Sequence, residues 1–233
     1  MGPGRVGSAY ALSTSAEPLS AAASLLAVAI DRIASLRPTV RVAIPGGSAA
    51  AVVGEVRKKL SASSWNSVRL TWVDERCVPF ADAESNRGMA HRKGWLDDAC
   101  LAHELPLYLD GETPEAACVR VAARLRDEFE NAIDIALLGL GEDGHIASLF
   151  PGKAALGVRD QTVVRVLDSP KPPAQRVSLT LPILETASAK IVFATGEGKR
   201  DALRRVLRAD DALPLTYLHN IQIITDLDMG EQR

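Results

Sequence analysis

The chain has 233 residues, enough for one sizeable core, and its 47% apolar and 24% charged residues are the balance of a soluble globular domain. A net charge of −2 without a basic block leaves no electrostatic footprint for nucleic acid, and no apolar run approaches the ~20 residues of a membrane span. Cys77, Cys100 and Cys118 are odd in number and far apart, which speaks for free thiols in a reducing compartment and against a disulfide framework or a zinc site.

Residues 1–16 are Gly-rich and unpatterned at their start and read as a lead-in to a single domain spanning 1–233. A helix is predicted over 18–36 from the stripe Leu19, Leu26, Ile30 and Ile33, with Ser15 or Glu17 near its start and Pro38 stopping it. Its segment 21–30 alone mimics a signal-peptide core. Asp31 and Arg32 follow it directly, so a cytoplasmic protein is expected. A strand at 40–44, a turn Pro45-Gly46-Gly47-Ser48 and a helix at 49–60 come next. The strand 68–73 ends in Asp74-Glu75-Arg76, and the polar segment 82–87 leads into a short helix. A long helix over 113–130 has Thr113 as its cap.

The run Ile135, Ala136, Leu137, Leu138 has the brevity and continuity of a strand buried on both faces. Strands at 162–167, 176–180, 190–195 and 221–225 follow, with helices opening at Leu181 and spanning 198–208 and a loop at 169–173 too rich in proline for either. Alternating strands and helices imply an α/β fold: a mostly parallel, Rossmann-like sheet with helices on both faces, in three layers.

The candidate chemistry centres on residues 134–152, DIALLGLGEDGHIASLFPG. The buried strand breaks into Gly139, Gly141 and Gly144, and the bend carries Glu142, Asp143 and His145. An Asp-x-His pair beyond the carboxyl end of a strand is an active-site layout, since open α/β sheets bind ligands there. The same letters satisfy G-x-G-x-x-G. Glu142 and Asp143 would then sit where a pyrophosphate belongs, and Pro151-Gly152 cuts short the helix this fingerprint requires. A plain tight turn with solvated acids is the remaining alternative.

Gly46, Gly47 and Ser48 lie between a strand and a helix start, where backbone N–H groups can hold an anion; a simple turn capped by Ser48 fits equally. A nucleophile elbow G-x-S-x-G fails at Ala50. Asp74 and Arg76 end a strand and should project from the same sheet edge as His145, with Ser85, Asn86 and Arg87 close behind. A surface ion-pair network is the alternative there. Lys171 and Arg176 flank a stiff Pro-rich loop that can hold a cation in place for a dianion. Gly-rich anion turns, several cations, one His–Asp pair and no metal-ligand cluster favour a small phosphorylated substrate and acid–base chemistry without a cofactor.

The segments PGGSAA, VDERCVPFADAESNRGMA, LLGLGEDGHIASLFPG and SPKPPAQRVSLTLPIL, in this order, resemble the 6-phosphogluconolactonase family over about residues 40–224. The resemblance implies hydrolysis of 6-phospho-D-glucono-1,5-lactone in the pentose phosphate pathway. It also implies the fold shared with glucosamine-6-phosphate deaminase and ribose-5-phosphate isomerase. No cofactor is expected, and the protein is expected to be a monomer or small homo-oligomer. By motif, His145 matches the general base with Asp143 beside it, and Arg76 matches a substrate-contacting arginine. Gly46, Gly47 and Ser48 match the sugar-phosphate turn, and Lys171 and Arg176 the basic pair of the Pro-rich segment. Asp74, Arg87 and Gly144 complete the expected substrate-binding set. Ala49 and Ala50 depart from the family's usual Thr-Pro after GGS, which removes one hydroxyl from the turn. A deaminase of related fold, or a sugar-phosphate sensor without catalysis, are the rival readings. The SPKPP and DGHIASLFPG segments favour the lactonase, and the N-terminal region carries no basic recognition helix for a DNA-binding sensor.

Overall fold

A computed structural model describes residues 10–96 and 103–230. Its strands are β1 (Tyr10–Thr14), β2 (Val40–Ile44), β3 (Val68–Trp72), β4 (Asp74–Arg76), β5 (Glu104–Leu105), β6 (Ile135–Gly139), β7 (Val163–Val166), β8 (Arg176–Leu179), β9 (Ala189–Phe193) and β10 (Ile221–Thr225). The described α-helices are α1 (Pro18–Ala34), α2 (Ala51–Arg57), α3 (Ala62–Asn66), α4 (Asn86–Arg92), α5 (Pro114–Phe129), α6 (Leu181–Glu185) and α7 (Arg200–Leu207). None is long and apolar enough to cross a membrane.

Seven strands form one sheet in the order β1-β10-β9-β6-β2-β3-β5, every pair parallel. β6 lies between β2 and β9, which is why its sequence is an unbroken apolar run: Ile135, Ala136, Leu137 and Leu138 are all fully buried. The chain steps outward from β2 to β3 and β5, then returns to place β6 on the other side of β2. The carboxyl ends of β2 and β6 therefore diverge into a crevice, the place where such sheets bind ligands.

The helices follow from local signals. In α5, the Thr113 side chain accepts the Ala116 N–H at 3.2 Å and Pro114 opens the first turn, as the sequence predicts. Ala117, Val121, Leu125 and Phe129 recur every four residues to make its buried face. α1 also opens on a proline, but Glu17 at its start makes no side-chain cap. The helix predicted over 49–60 divides into a 3₁₀ turn, Gly47–Ala50, and the shorter α2.

Two features differ from the expected layout. Tyr10–Thr14, inside the unpatterned lead-in, form an edge strand paired with β10, whereas residues 1–9 lie outside the described part. The second is a separate antiparallel sheet, β4-β8-β7. It begins where Val73 still donates to the Ile44 carbonyl at 2.8 Å while its own carbonyl accepts from Leu179 at 2.8 Å. At that point the chain leaves the main sheet, so Asp74–Arg76 do not extend β3. Cys77 and Cys118 are free; burial pushes their thiols up to about 12 and about 11, so neither is a thiolate near neutral pH. Cys100 lies outside the described residues.

Candidate active site

The loops after β2, β6 and β9, together with β4 and β8, enclose a cleft of about 310 Å³. The loop after β6 supplies His145. Its Nδ1 lies 2.5 Å from Asp143 Oδ1, and the turn closes with Gly144 N–H on the Gly141 carbonyl at 3.0 Å and Gly141 N–H on the His145 carbonyl at 2.8 Å. No α-helix follows Gly144 before β7, only a 3₁₀ turn at Ala154–Gly157, so the helix that the dinucleotide template requires is missing. The Asp143 carboxylate is an acceptor, so Nδ1 donates to it, and in the neutral form of the ring Nε2 keeps its lone pair for the cleft. Burial raises the Asp143 carboxyl. The His145 bond and the positive charges of His145 and Lys171 outweigh that, and hold it well below the usual carboxylate range. The ring also rests on Phe150, with centroids 4.4 Å apart.

Gly141 is required by this pair. A Cβ there would lie 2.0 Å from His145 Nδ1 and 2.6 Å from Asp143 Oδ1. Gly141→Ala should therefore displace the ring and lower kcat by roughly 10²-fold, the effect of an ångström-scale misplacement. Steady-state kinetics beside a melting curve checks this. A kcat within threefold of the parent would show that the pair tolerates the shift.

Gly46, Gly47 and Ser48 line the cleft, with Gly47 at φ +64° and Ser48 exposed. Ser48 does not cap the turn, which starts at Gly46 without a side-chain cap. Its hydroxyl has no hydrogen-bond partner among the described residues, hence no base to activate it as a nucleophile. Ala49 and Ala50 are buried, and the Ala49 Cβ packs within 3.6 Å of where a Cβ on Gly139 would stand.

Four cations reach the cleft: Arg76, Lys171, Arg176 and Lys199. Arg176 is committed to structure. It donates to the carbonyls of Lys171, Pro172 and Pro173 at 3.0, 3.3 and 3.1 Å, and lies 3.8 Å from Asp74, so it fastens the Pro-rich loop to the small sheet. Asp74 lines the cleft with its carboxylate bonded by Ser148 Oγ at 2.5 Å. Arg76 donates one Nη to the Glu84 carbonyl at 2.7 Å, and its buried Nε has no partner among the described residues. Lys171 Nζ stands 3.8 Å from Asp143 Oδ1.

Two expected residues do not reach the cleft wall. Arg87 is held by buried Glu104 at 2.9 Å with its guanidinium 4.7 Å from the Phe80 ring centre. Gly144 shapes the loop instead: its φ is +88° and a Cβ would lie 2.5 Å from the Leu213 side chain. The sequence reading missed Thr195 and Lys199, which enter the cleft from the turn after β9. Their signal was Thr195-Gly196-Glu197-Gly198-Lys199, a Gly-rich turn between a strand and a helix, like the one at Gly46.

The fold and cleft define a three-layer α/β protein with a polar, cation-lined cleft at the carboxyl ends of its parallel strands. The family model described as glucosamine-6-phosphate isomerases/6-phosphogluconolactonase matches residues 13–225. The chain belongs to this family. It is 36% identical over 217 residues to the 6-phosphogluconolactonase of Rattus norvegicus, covering 87% of this chain and 84% of the relative. The 6-phosphogluconolactonase of Caulobacter vibrioides is 33% identical over 204 residues, 85% of this chain and 86% of the relative. The crystal structure of a 6-phosphogluconolactonase from Shewanella baltica has the same fold, with a TM-score of 0.79 at 22% identity over 94% of this chain and 96% of that one.

Proposed function

We propose that the cleft hydrolyses 6-phospho-D-glucono-1,5-lactone to 6-phospho-D-gluconate, the lactone-opening step of the oxidative pentose phosphate pathway. The observation that carries this reading is His145, oriented by Asp143, in a cleft that also presents lysines and a Gly-rich anion turn. A lactone carbonyl is electrophilic enough for water activated by a base. His145 Nε2 takes a proton from water as its oxygen bonds to C1, and the carbonyl electrons move onto oxygen. Arg76, which lines the cleft, stabilises that charge. The oxyanion then re-forms the carbonyl as the C1–ring oxygen bond breaks, the imidazolium returns its proton to the departing oxygen, and the new carboxylic acid loses its proton to solvent, leaving a carboxylate and a free hydroxyl. Asp143 stabilises the imidazolium between the two steps. The free thiols Cys77 and Cys118 suit a reducing, cytoplasmic setting for this reaction.

Arg176 being committed, Lys171, Lys199 and the turn 46–48 are left for the phosphate dianion. Lys171→Ala should raise KM more than it lowers kcat, because a phosphate contact persists from ground state to transition state. A hydrogen bond to a charged group is worth ~1.5–3 kcal/mol, or roughly a 10- to 150-fold loss in affinity. The unphosphorylated lactone should barely register the substitution. Equal losses on both substrates would show that Lys171 acts through Asp143 instead.

The family description also covers glucosamine-6-phosphate isomerases. The likeness at 36% and 33% identity to proteins named 6-phosphogluconolactonase favours the lactonase. Freshly prepared phosphogluconolactone and glucosamine 6-phosphate separate the two. The expected result is acid release above the spontaneous rate from the first and no ammonia from the second; the reverse result overturns the reading.

A further inference from the structure

Glu75 stands between two cleft residues in sequence and touches no substrate-facing surface. It is 3% exposed, yet its carboxylate is fully engaged. Oε1 accepts the N–H of Arg76 at 2.7 Å and of Asn86 at 2.8 Å. Oε2 accepts the N–H of Arg87 at 2.7 Å, and Ser85 Oγ lies 3.4 Å away. Ser85 Oγ also accepts the Gly88 N–H at 2.9 Å, capping α4, so its own hydrogen is free to turn toward Glu75. One carboxylate thus ties β4 to the start of α4.

The tie continues into the cleft. Asn86 Nδ2 donates to the Asp74 carbonyl at 3.0 Å, which sets the amide's orientation, and Oδ1 then faces the anion turn. It presses so closely that a Cβ on Gly46 would lie 1.7 Å from it. Glu75 fixes the Asn86 backbone, the Asn86 amide backs Gly46, and Gly46 opens the turn that carries Ser48.

We infer that Glu75 is a positioning residue for the reaction, a carboxylate clasp that holds Arg76 and, through Asn86, the Gly46–Ser48 turn in the arrangement that receives substrate. This rests on the lactonase reading given above. A neutral side chain of the same shape cannot replace the clasp, because an amide presents one acceptor oxygen and turns its NH₂ toward a backbone donor.

The clasp also gives activity a second proton-sensitive group. Burial pushes the Glu75 carboxyl up to about 7, against the lowering effect of the Arg87, Asn86 and Arg76 N–H groups, with the negative charge of Asp74 adding to the rise. The other ionisable groups that feel its charge are Arg176 on β8 and the Cys77 thiol; Arg76 and Arg87 meet it through their backbone N–H groups, their guanidinium groups bonding the Glu84 carbonyl and Glu104 instead. Protonation near neutral pH removes acceptor capacity from the clasp. Activity then needs both a neutral His145 and an ionised Glu75.

Glu75→Gln tests this at a temperature where parent and variant are both folded. The expected loss in kcat/KM is roughly 10- to 100-fold, the scale of a small misplacement of reacting groups. The acid side of log kcat/KM against pH should fall with a slope approaching two in the parent and one in the variant. Amide hydrogen exchange resolved by NMR reads the clasp without catalysis. The amides of Arg76, Asn86 and Arg87 should lose at least tenfold protection, while those of β2 and β6 keep theirs. The inference is overturned if kcat/KM stays within twofold, if those amides keep their protection, or if protection falls equally across β2 and β6. A parent that leaves the lactone unhydrolysed would defeat the functional reading, and the exchange data would still decide the clasp. Should the glutamine variant not fold, Glu75→Asp, one methylene too short to span both turns, goes through the same measurements with the same expected losses.

Discussion

His145→Gln should lower kcat by ~10²–10⁴ while leaving the fold intact. Glutamine keeps a hydrogen-bonding side chain of similar reach but cannot take a proton from water. The loss therefore isolates general-base catalysis from substrate positioning. Spontaneous hydrolysis of the lactone must be subtracted, since it would otherwise hide a dead enzyme. In the parent, activity should fall toward acid pH, because the neutral imidazole is the working form. Asp143 adds no acid limb of its own near neutrality, its carboxyl being held well below the usual range by His145 and Lys171. Asp143→Asn should act in the same direction as His145→Gln but less, since Asp143 orients the ring and steadies its charge without moving the proton. Near-parent kcat in a folded His145→Gln variant would sink the mechanism.

The parts of this site legible from sequence are those whose physical cause is local. The unbroken apolar run at Ile135–Leu138 reflects burial on both sides of a central strand, and Gly141 and Gly144 after it reflect a turn too tight for side chains. The capping Thr113 and the apolar face of α5 are local in the same sense. What stayed hidden depends on partners distant in the chain. β7 and β8 alternate like any strand, and nothing local shows that they leave the parallel sheet to pair with β4. Tyr10–Thr14 is an edge strand with only its Tyr10 and Leu12 side half-buried, too weak a pattern to stand out from a Gly-rich start. Arg87 looked available for substrate because its true partner, Glu104, is 17 residues away. Arg176 lines the cleft, and its carbonyl partners are visible only once the loop is folded over it.

The largest expected effect on stability belongs to Asp134, at the amino end of the same strand whose other end delivers His145. Its carboxylate is 5% exposed for the residue as a whole and accepts the Arg41 backbone N–H at 2.8 Å, Arg41 Nε at 3.1 Å and Arg41 Nη2 at 2.8 Å, with Arg37 also paired to it. Its backbone donates to the Arg41 carbonyl at 2.8 Å and accepts from Ser188 at 3.0 Å, so one residue joins the starts of β2, β6 and β9. Asp134→Ala leaves the Arg41 guanidinium buried, with the Phe129 carbonyl and the exposed Glu130 as its remaining partners. Breaking such a pair costs about 3–5 kcal/mol, because the surviving charge is uncompensated. For a chain of this size that is a drop of roughly 6–20 °C in Tm. Burial raises the Asp134 carboxyl, but the bonds from Arg41 and Arg37 more than offset it, and its pKa is depressed in the folded state. The stabilisation is accordingly complete above the unfolded aspartate value of ~3.9 and lost as pH falls through the lower folded value. Parent and Asp134→Ala stabilities, measured by urea unfolding from neutral to acid pH, should converge as Asp134 is protonated. A constant gap across that range would mean that the aspartate acts through its shape and not through its charge.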